Sequence, residues 1–114
     1  MFNRFKKEII LPVETIAKAD GIQRIYKFDG TMWGASVIWR YETSYGGKKG
    51  LWEIAPQWGG HLLHWDHAYE MGLYDIKGNL NDAQLQDELH KIKRYAERGF
   101  FMRVQKATKA LLNR

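Results

Sequence analysis

The chain has no cysteine, two prolines and two serines among its 114 residues. The absence of cysteine excludes disulfides, thiolate zinc sites and cysteine nucleophiles. Neither Ser36 nor Ser44 stands in a Gly-x-Ser-x-Gly elbow, so the hydrolase nucleophile that such a turn presents is missing as well. Long apolar runs are also lacking. Arg4, Lys6 and Lys7 precede Ile9-Ile10-Leu11 as in the start of a signal peptide, but Pro12 and Glu14 end the run. No stretch approaches the roughly 20 apolar residues of a membrane span. The expectation is one domain over residues 1–114, cytoplasmic, with no membrane contact, no cofactor and no metal.

Aromatics are plentiful, with five Trp, six Tyr and five Phe. Few such side chains fill a small core, because each buries a large area. Charge is plentiful too, and unevenly placed. The net charge of +5 divides into +4 over residues 1–49, −6 over 50–90 and +7 over 91–114. A basic end beside an acidic middle points to an electrostatic partner or to pairing within the chain.

Pro12 suits a helix start and Asp20-Gly21 a helix end, which predicts a short helix over 12–19. Three strands follow. Ile22, Tyr26 and Phe28 share one side of a strand that ends at the turn Asp29-Gly30. Trp33, Ala35, Val37, Trp39 and Tyr41 then alternate with Gly34, Ser36, Arg40 and Glu42, the period of a half-buried strand. After the loop 44–50, Trp52, Ile54 and Trp58 oppose Glu53 and Gln57, completing an antiparallel meander. Pro56 predicts that this strand lies at an edge or ends early. Residues 61–80 read either as a fourth strand near Leu62–Tyr69 or as a loop with a helical turn. Asn81 or Asp82 caps a helix carrying Leu85, Leu89, Ile92 and Ala96. Gly99 predicts a stop or kink before a second helix over 100–112. The fold expected is α+β: a three- to four-stranded antiparallel sheet with C-terminal helices on one face. Leu85, Leu89, Ile92, Val104 and Leu111 pack there on Trp33, Val37, Trp39, Ile54 and Tyr26.

Several patterns bear on chemistry. The loop Tyr45-Gly46-Gly47-Lys48-Lys49-Gly50 has the glycines and lysines of a phosphate cradle but no following Ser/Thr, and a strand comes next, so a hairpin turn explains it better. His61, His64 and His67 recur every third residue near Asp66 and Glu70. Neither helix nor strand spacing converges these rings on one ion, and surface or packed histidines are the simpler reading. A small hydrolase or nuclease would draw on His64, His67 and Asp66, or on Asp66 and Glu70 as an acid/base pair. Phosphate contact needs several cations together, and Lys91, Arg94, Arg98, Arg103, Lys106, Lys109 and Arg114 supply them, which makes nucleic acid a candidate partner. Protein contact would use aromatic anchors framed by charge: Trp58, Trp65, Asp66, Tyr69, Glu70, Tyr74 and Asp75.

Ser44-Tyr45-Gly46-Gly47-Lys48-Lys49-Gly50-Leu51-Trp52-Glu53-Ile54-Ala55 resembles a group of small phage and prophage proteins that pair a Tyr-Gly-Gly turn with a Gly-Leu-Tyr/Trp-Glu-Ile/Leu-Ala strand. The likeness continues at Tyr69-Glu70 and at Asp75-Ile76-Lys77-Gly78-Asn79-Leu80, and covers roughly residues 30–95. Trp58 to Trp65 is richer in Trp and His than that pattern, and the basic helix after Gly99 is an addition to it. The resemblance implies a small, non-enzymatic phage-type gene product acting in the host cytoplasm, of a kind that includes inhibitors of host defence such as CRISPR or restriction enzymes. The expected activity is binding to a host protein, with the acidic stretch mimicking nucleic-acid charge; the alternative is nucleic-acid binding through the basic C-terminal segment.

Overall fold

The computed structural model describes residues 8–62 and 75–112, with side chains through Gly99. Four strands form a meander in chain order: β1 (Glu14–Lys18), β2 (Gly21–Lys27), β3 (Trp33–Arg40) and β4 (Trp52–Trp58). Two short strands, β5 (His61–Leu62) and β6 (Lys77–Leu80), both pair with the far side of β4, and every pairing is antiparallel. The sheet thus has six strands rather than three or four, since short edge segments carry too few residues to show a period. Among the described residues a single α-helix, α1 (Asp82–Leu112), lies on one face.

Register explains which side chains meet that helix. Tyr26, Ala35 and Pro56 stand in one cross-strand row, and Arg24, Val37 and Ile54 in the next. Side chains directly opposite in antiparallel strands project from the same face. Tyr26, Phe28, Trp33, Ala35, Val37, Ile54 and Leu80 therefore form one side of the core, and Leu85, Leu89, Ile92 and Ala96 close it from α1. Trp33 meets Tyr95 of the helix edge-on, with ring centroids 5.2 Å apart. The helix begins in a reciprocal cap: Asn81 Oδ1 accepts the Gln84 N–H at 2.8 Å, and Gln84 Oε1 accepts the Asn81 N–H at 2.9 Å. Beside the helix runs the arm of residues 8–12. Its Ile10 is held by Gln86, which accepts the Ile10 N–H and donates back to the Ile10 carbonyl.

Three expectations are corrected. The segment 12–19 is not helical; residues 14–18 are β1, and Asp20 belongs to the turn into β2. A helix of that length has little stability of its own, so pairing with β2 decides. Gly21 opens β2 because a Cβ there would lie 1.8 Å from the Trp39 carbonyl oxygen. Asp20 is gripped by Arg40 Nε at 2.7 Å, and that hydrogen bond above all holds its carboxyl below the ordinary 3.8. Any stability it contributes is present above that value and is lost only as pH falls below it. An NMR titration of the Asp20 carboxyl checks the direction, and Arg40→Ala returns it to the ordinary range.

Pro56 lies in an interior strand. The Gly59 N–H donates to Met32 O, which makes the odd residues of β4 the ones bonded to β3. The proline nitrogen faces the other way, into the gap between β5, paired at Gln57 and Trp58, and β6, paired at Trp52 and Ile54. Among the described residues, no ladder bond is lost there.

Gly99 neither ends nor divides the helix, which spans 31 residues, about 46 Å. A glycine in a helix interior lowers stability by about 1 kcal/mol relative to alanine, a penalty its helix-forming neighbours absorb. A Cβ at Gly99 would meet nothing within 4 Å. Gly99→Ala is expected to stabilise the protein by roughly 0.5–1 kcal/mol, read from the urea midpoint. Val104 and Leu111 fall beyond the described side chains.

Candidate functional site

On the sheet face opposite α1, Lys27, Gly34, Gln57 and Leu62 form a row across four neighbouring strands. The row is incomplete at Gly34, which has no side chain. A cavity of about 260 Å3 opens there, walled by Lys27, Thr31, Met32, Gln57 and the Gly59-Gly60 turn. The gap is built in, because a Cβ at Gly34 would lie 2.2 Å from the Tyr26 carbonyl oxygen. Backbone bonds fix the two turns that flank it. Thr31 Oγ1 donates to Phe28 O at 2.8 Å and accepts the Trp33 N–H at 3.0 Å. The Gly59 N–H donates to Met32 O at 2.8 Å, tying one turn to the other. Gly59 and Gly60 have φ of 61° and 82°, angles that glycine adopts without strain.

Two large apolar side chains on this face are left exposed, Met32 at 52% and Leu62 at 58%. Trp58, 47% exposed, stands at the same end of the sheet but projects from the α1 face, opposite Trp33. Within the cavity the available chemistry is an ammonium at Lys27 and an amide at Gln57, the Thr31 hydroxyl being engaged by the turn. That set suits a carboxylate or amide group, with apolar surface around it for the rest of a ligand.

Of the side chains expected to contact a protein, Trp58 stands at this end of the sheet but on the α1 face, and Asp75 is exposed just before β6. Trp65, Asp66, Tyr69, Glu70 and Tyr74 lie outside the described residues, as do His64 and His67. His61 is exposed on β5, and no group of three or more His, Asp or Glu capable of holding a metal occurs among the described residues. Lys91, Arg94 and Arg98 are exposed on α1. Arg103, Lys106 and Lys109 lie further along the same helix, and Arg114 is outside the described residues.

The expectation of one acidic, solvent-facing middle is corrected by two of its members, Glu53 and Glu88. Glu53 is buried and accepts the Tyr45 N–H at 3.0 Å. Asp82 accepts from Trp52 Nε1 at 2.8 Å. Glu88 is buried, with Lys77 at 2.7 Å and Lys91 at 3.8 Å. Glu53 and Glu88 are turned into the fold and so are not available to imitate a phosphate backbone, whereas Asp82 stays exposed.

The loop 44–50 is a turn. Gly47–Lys49 forms one 3-10 turn between Gly46 and Gly50, both at positive φ, and β4 follows instead of a helix. The Trp39 indole is tied to it by a bond to Gly47 O at 2.8 Å. Trp39 and Trp52 are half-buried, and the Arg24 guanidinium lies 4.4 Å over the Trp52 ring. Both indoles are thus engaged within the fold. Among the described residues, no helix is long and apolar enough to cross a membrane. No family profile, curated protein or solved structure matches this chain.

Sequence reasoning found Trp58 but missed Lys27, Gly34, Gln57, Met32 and Leu62. They are scattered over 36 positions of the chain, and only strand register brings them together. Counting outward from the turns at Asp29-Gly30 and Gly59-Gly60 is the signal that would have aligned them.

Proposed function

We propose that this chain is a non-enzymatic binding protein whose partner is another protein, docked over the end of the sheet that carries Met32, Leu62 and the cavity over Gly34 on one face and Trp58 on the other. One observation carries this reading: a preformed cavity with a cationic and an amide wall lies beside two large apolar side chains left exposed, Met32 and Leu62, at the end of the sheet whose other face exposes Trp58. Interfaces draw their affinity from such anchors around a pocket, with polar groups fixing orientation. Lys27 and Gln57 select an acidic or amide side chain of the partner. The phage-type resemblance makes host defence proteins, restriction and CRISPR enzymes among them, the first partner class to assay. Panning a random peptide library on the intact chain tests the site. Enriched peptides should carry Asp, Glu, Asn or Gln beside an apolar residue, and Lys27→Glu should release them; retention equal to the unmutated chain's would refute the assignment.

A second reading, nucleic-acid binding, draws on one structural observation. Because α1 is continuous, Lys91, Arg94 and Arg98 share one helix with Arg103, Lys106 and Lys109. Direct binding would weaken steeply with salt and with Arg103→Glu/Lys106→Glu. No retardation of DNA or RNA at low salt would remove it.

A further inference from the structure

β1 pairs with β2 along one side, and among the described residues nothing pairs with its other side. Which backbone groups face outward follows from the ladder. The Phe28 N–H donates to Trp33 O and the Tyr41 N–H to Asp20 O, so the even residues of β2 bond to β3. The odd ones, Gly21, Gln23 and Ile25, therefore bond to β1, at Lys18, Ile16 and Glu14. Thr15 and Ala17 are left with N–H and C=O turned to the open edge.

We propose that this edge is self-complementary and joins two copies of the chain, β1 to β1, into one continuous antiparallel sheet with a twofold axis at Ile16. In that register Thr15 faces the partner's Ala17 and Ala17 the partner's Thr15, each a doubly hydrogen-bonded pair. Glu14 then faces the partner's Lys18, and Lys18 the partner's Glu14. Ile16 meets its own copy in the closer, non-bonded type of pair. Glu14 and Lys18 are exposed and, among the described residues, make no hydrogen bond or ion pair that would compete.

The alternatives are worse on charge or on geometry. Centring the pair on Ala17 sets Glu14 against the partner's Asp20, two like charges. Centring it on Thr15 sets Lys18 against Pro12 and leaves both charges unmatched. A shift by one residue opposes outward groups to inward ones and breaks the ladder. Val13, 58% exposed, and Leu11, 74% exposed, continue from the strand and add apolar surface beside the seam. Lysine on an edge strand ordinarily discourages pairing, but in this register it is answered by a carboxylate.

This inference is independent of the proposed cavity. Sedimentation of the full chain, from low micromolar to roughly 100 µM, measures it through mass action. The unmutated chain should run at twice its 13.4 kDa. Thr15→Pro removes an outward N–H without touching the bonds to β2, so it should yield a folded monomer whose melting no longer depends on protein concentration. Glu14→Lys should weaken the dimer at least ~10-fold, and Glu14→Lys/Lys18→Glu should restore it. The charge series decides the matter even if the proline variant does not fold. A monomeric unmutated chain, or a dimer indifferent to Glu14→Lys, overturns the proposal.

Discussion

Leu89→Ala is expected to lower the unfolding free energy by about 3 kcal/mol, within the 2–5 kcal/mol range for a leucine removed from a close-packed core. Leu89 is fully buried at the middle of the α1 stripe, with Leu85 and Ile92 on either side and Val37 and Ile54 in the same cluster. A rigid sheet on one side and a capped helix on the other leave little scope for collapse into the vacated space. The lost transfer energy is then joined by the cost of a cavity. A domain of this size typically has 5–15 kcal/mol in hand, so the variant should fold but melt well below the unmutated protein. Urea unfolding should show a lower midpoint with the same slope. Leu62→Ala supplies the contrast. Its side chain is 58% exposed, and the change should stay within about 0.5 kcal/mol. A loss below about 1 kcal/mol at Leu89 would mean that the helix stripe does not carry the core.

Trp58→Ala should weaken partner binding by about 2 kcal/mol, roughly 30-fold, while leaving the melting temperature almost unchanged. The separation of the two effects follows from position. Trp58 is 47% exposed at the end of β4, whereas its cross-strand neighbour Trp33 is buried against Tyr95 and keeps that contact when Trp58 is truncated. A large, half-exposed indole is the type of group that anchors an interface. Titration calorimetry with an enriched peptide reads the affinity, and calorimetric melting of the same samples reads the stability. If both fall together, Trp58 is a structural residue and the binding corner lies elsewhere.

Local sequence carried the parts of the fold that depend on a repeated period. Trp33, Ala35 and Val37 alternate and are buried; Leu85, Leu89, Ile92 and Ala96 fall at helical spacing and are buried too. What it misjudged depends on contacts between distant residues. Pro12 and Asp20-Gly21 mimic helix ends, yet the approach of Gly21 to the Trp39 carbonyl shows that the glycine serves a strand. Pro56 looks like an edge signal until the break between β5 and β6 is known. Gly99 looks like a stop because propensity alone says nothing about the helix that surrounds it. The acidic middle looks like one surface, but Glu53 and Glu88 are drawn inward by the Tyr45 N–H and by Lys77. The cavity over Gly34 was illegible for the same reason: it is made by an absent side chain, and absence has meaning only once neighbours are known.

The account depends most on which face of the sheet α1 covers, since the corner at Lys27, Gly34 and Gln57 is open only if the helix lies on the other side. Methyl NOE spectroscopy on the intact chain reads this directly. Leu85, Leu89 and Ile92 should show cross-peaks to Val37 and Ile54, and none to Ile25 or Ile38. Cross-peaks from those helix methyls to Ile25 and Ile38 would place α1 over the cavity and contradict the assignment.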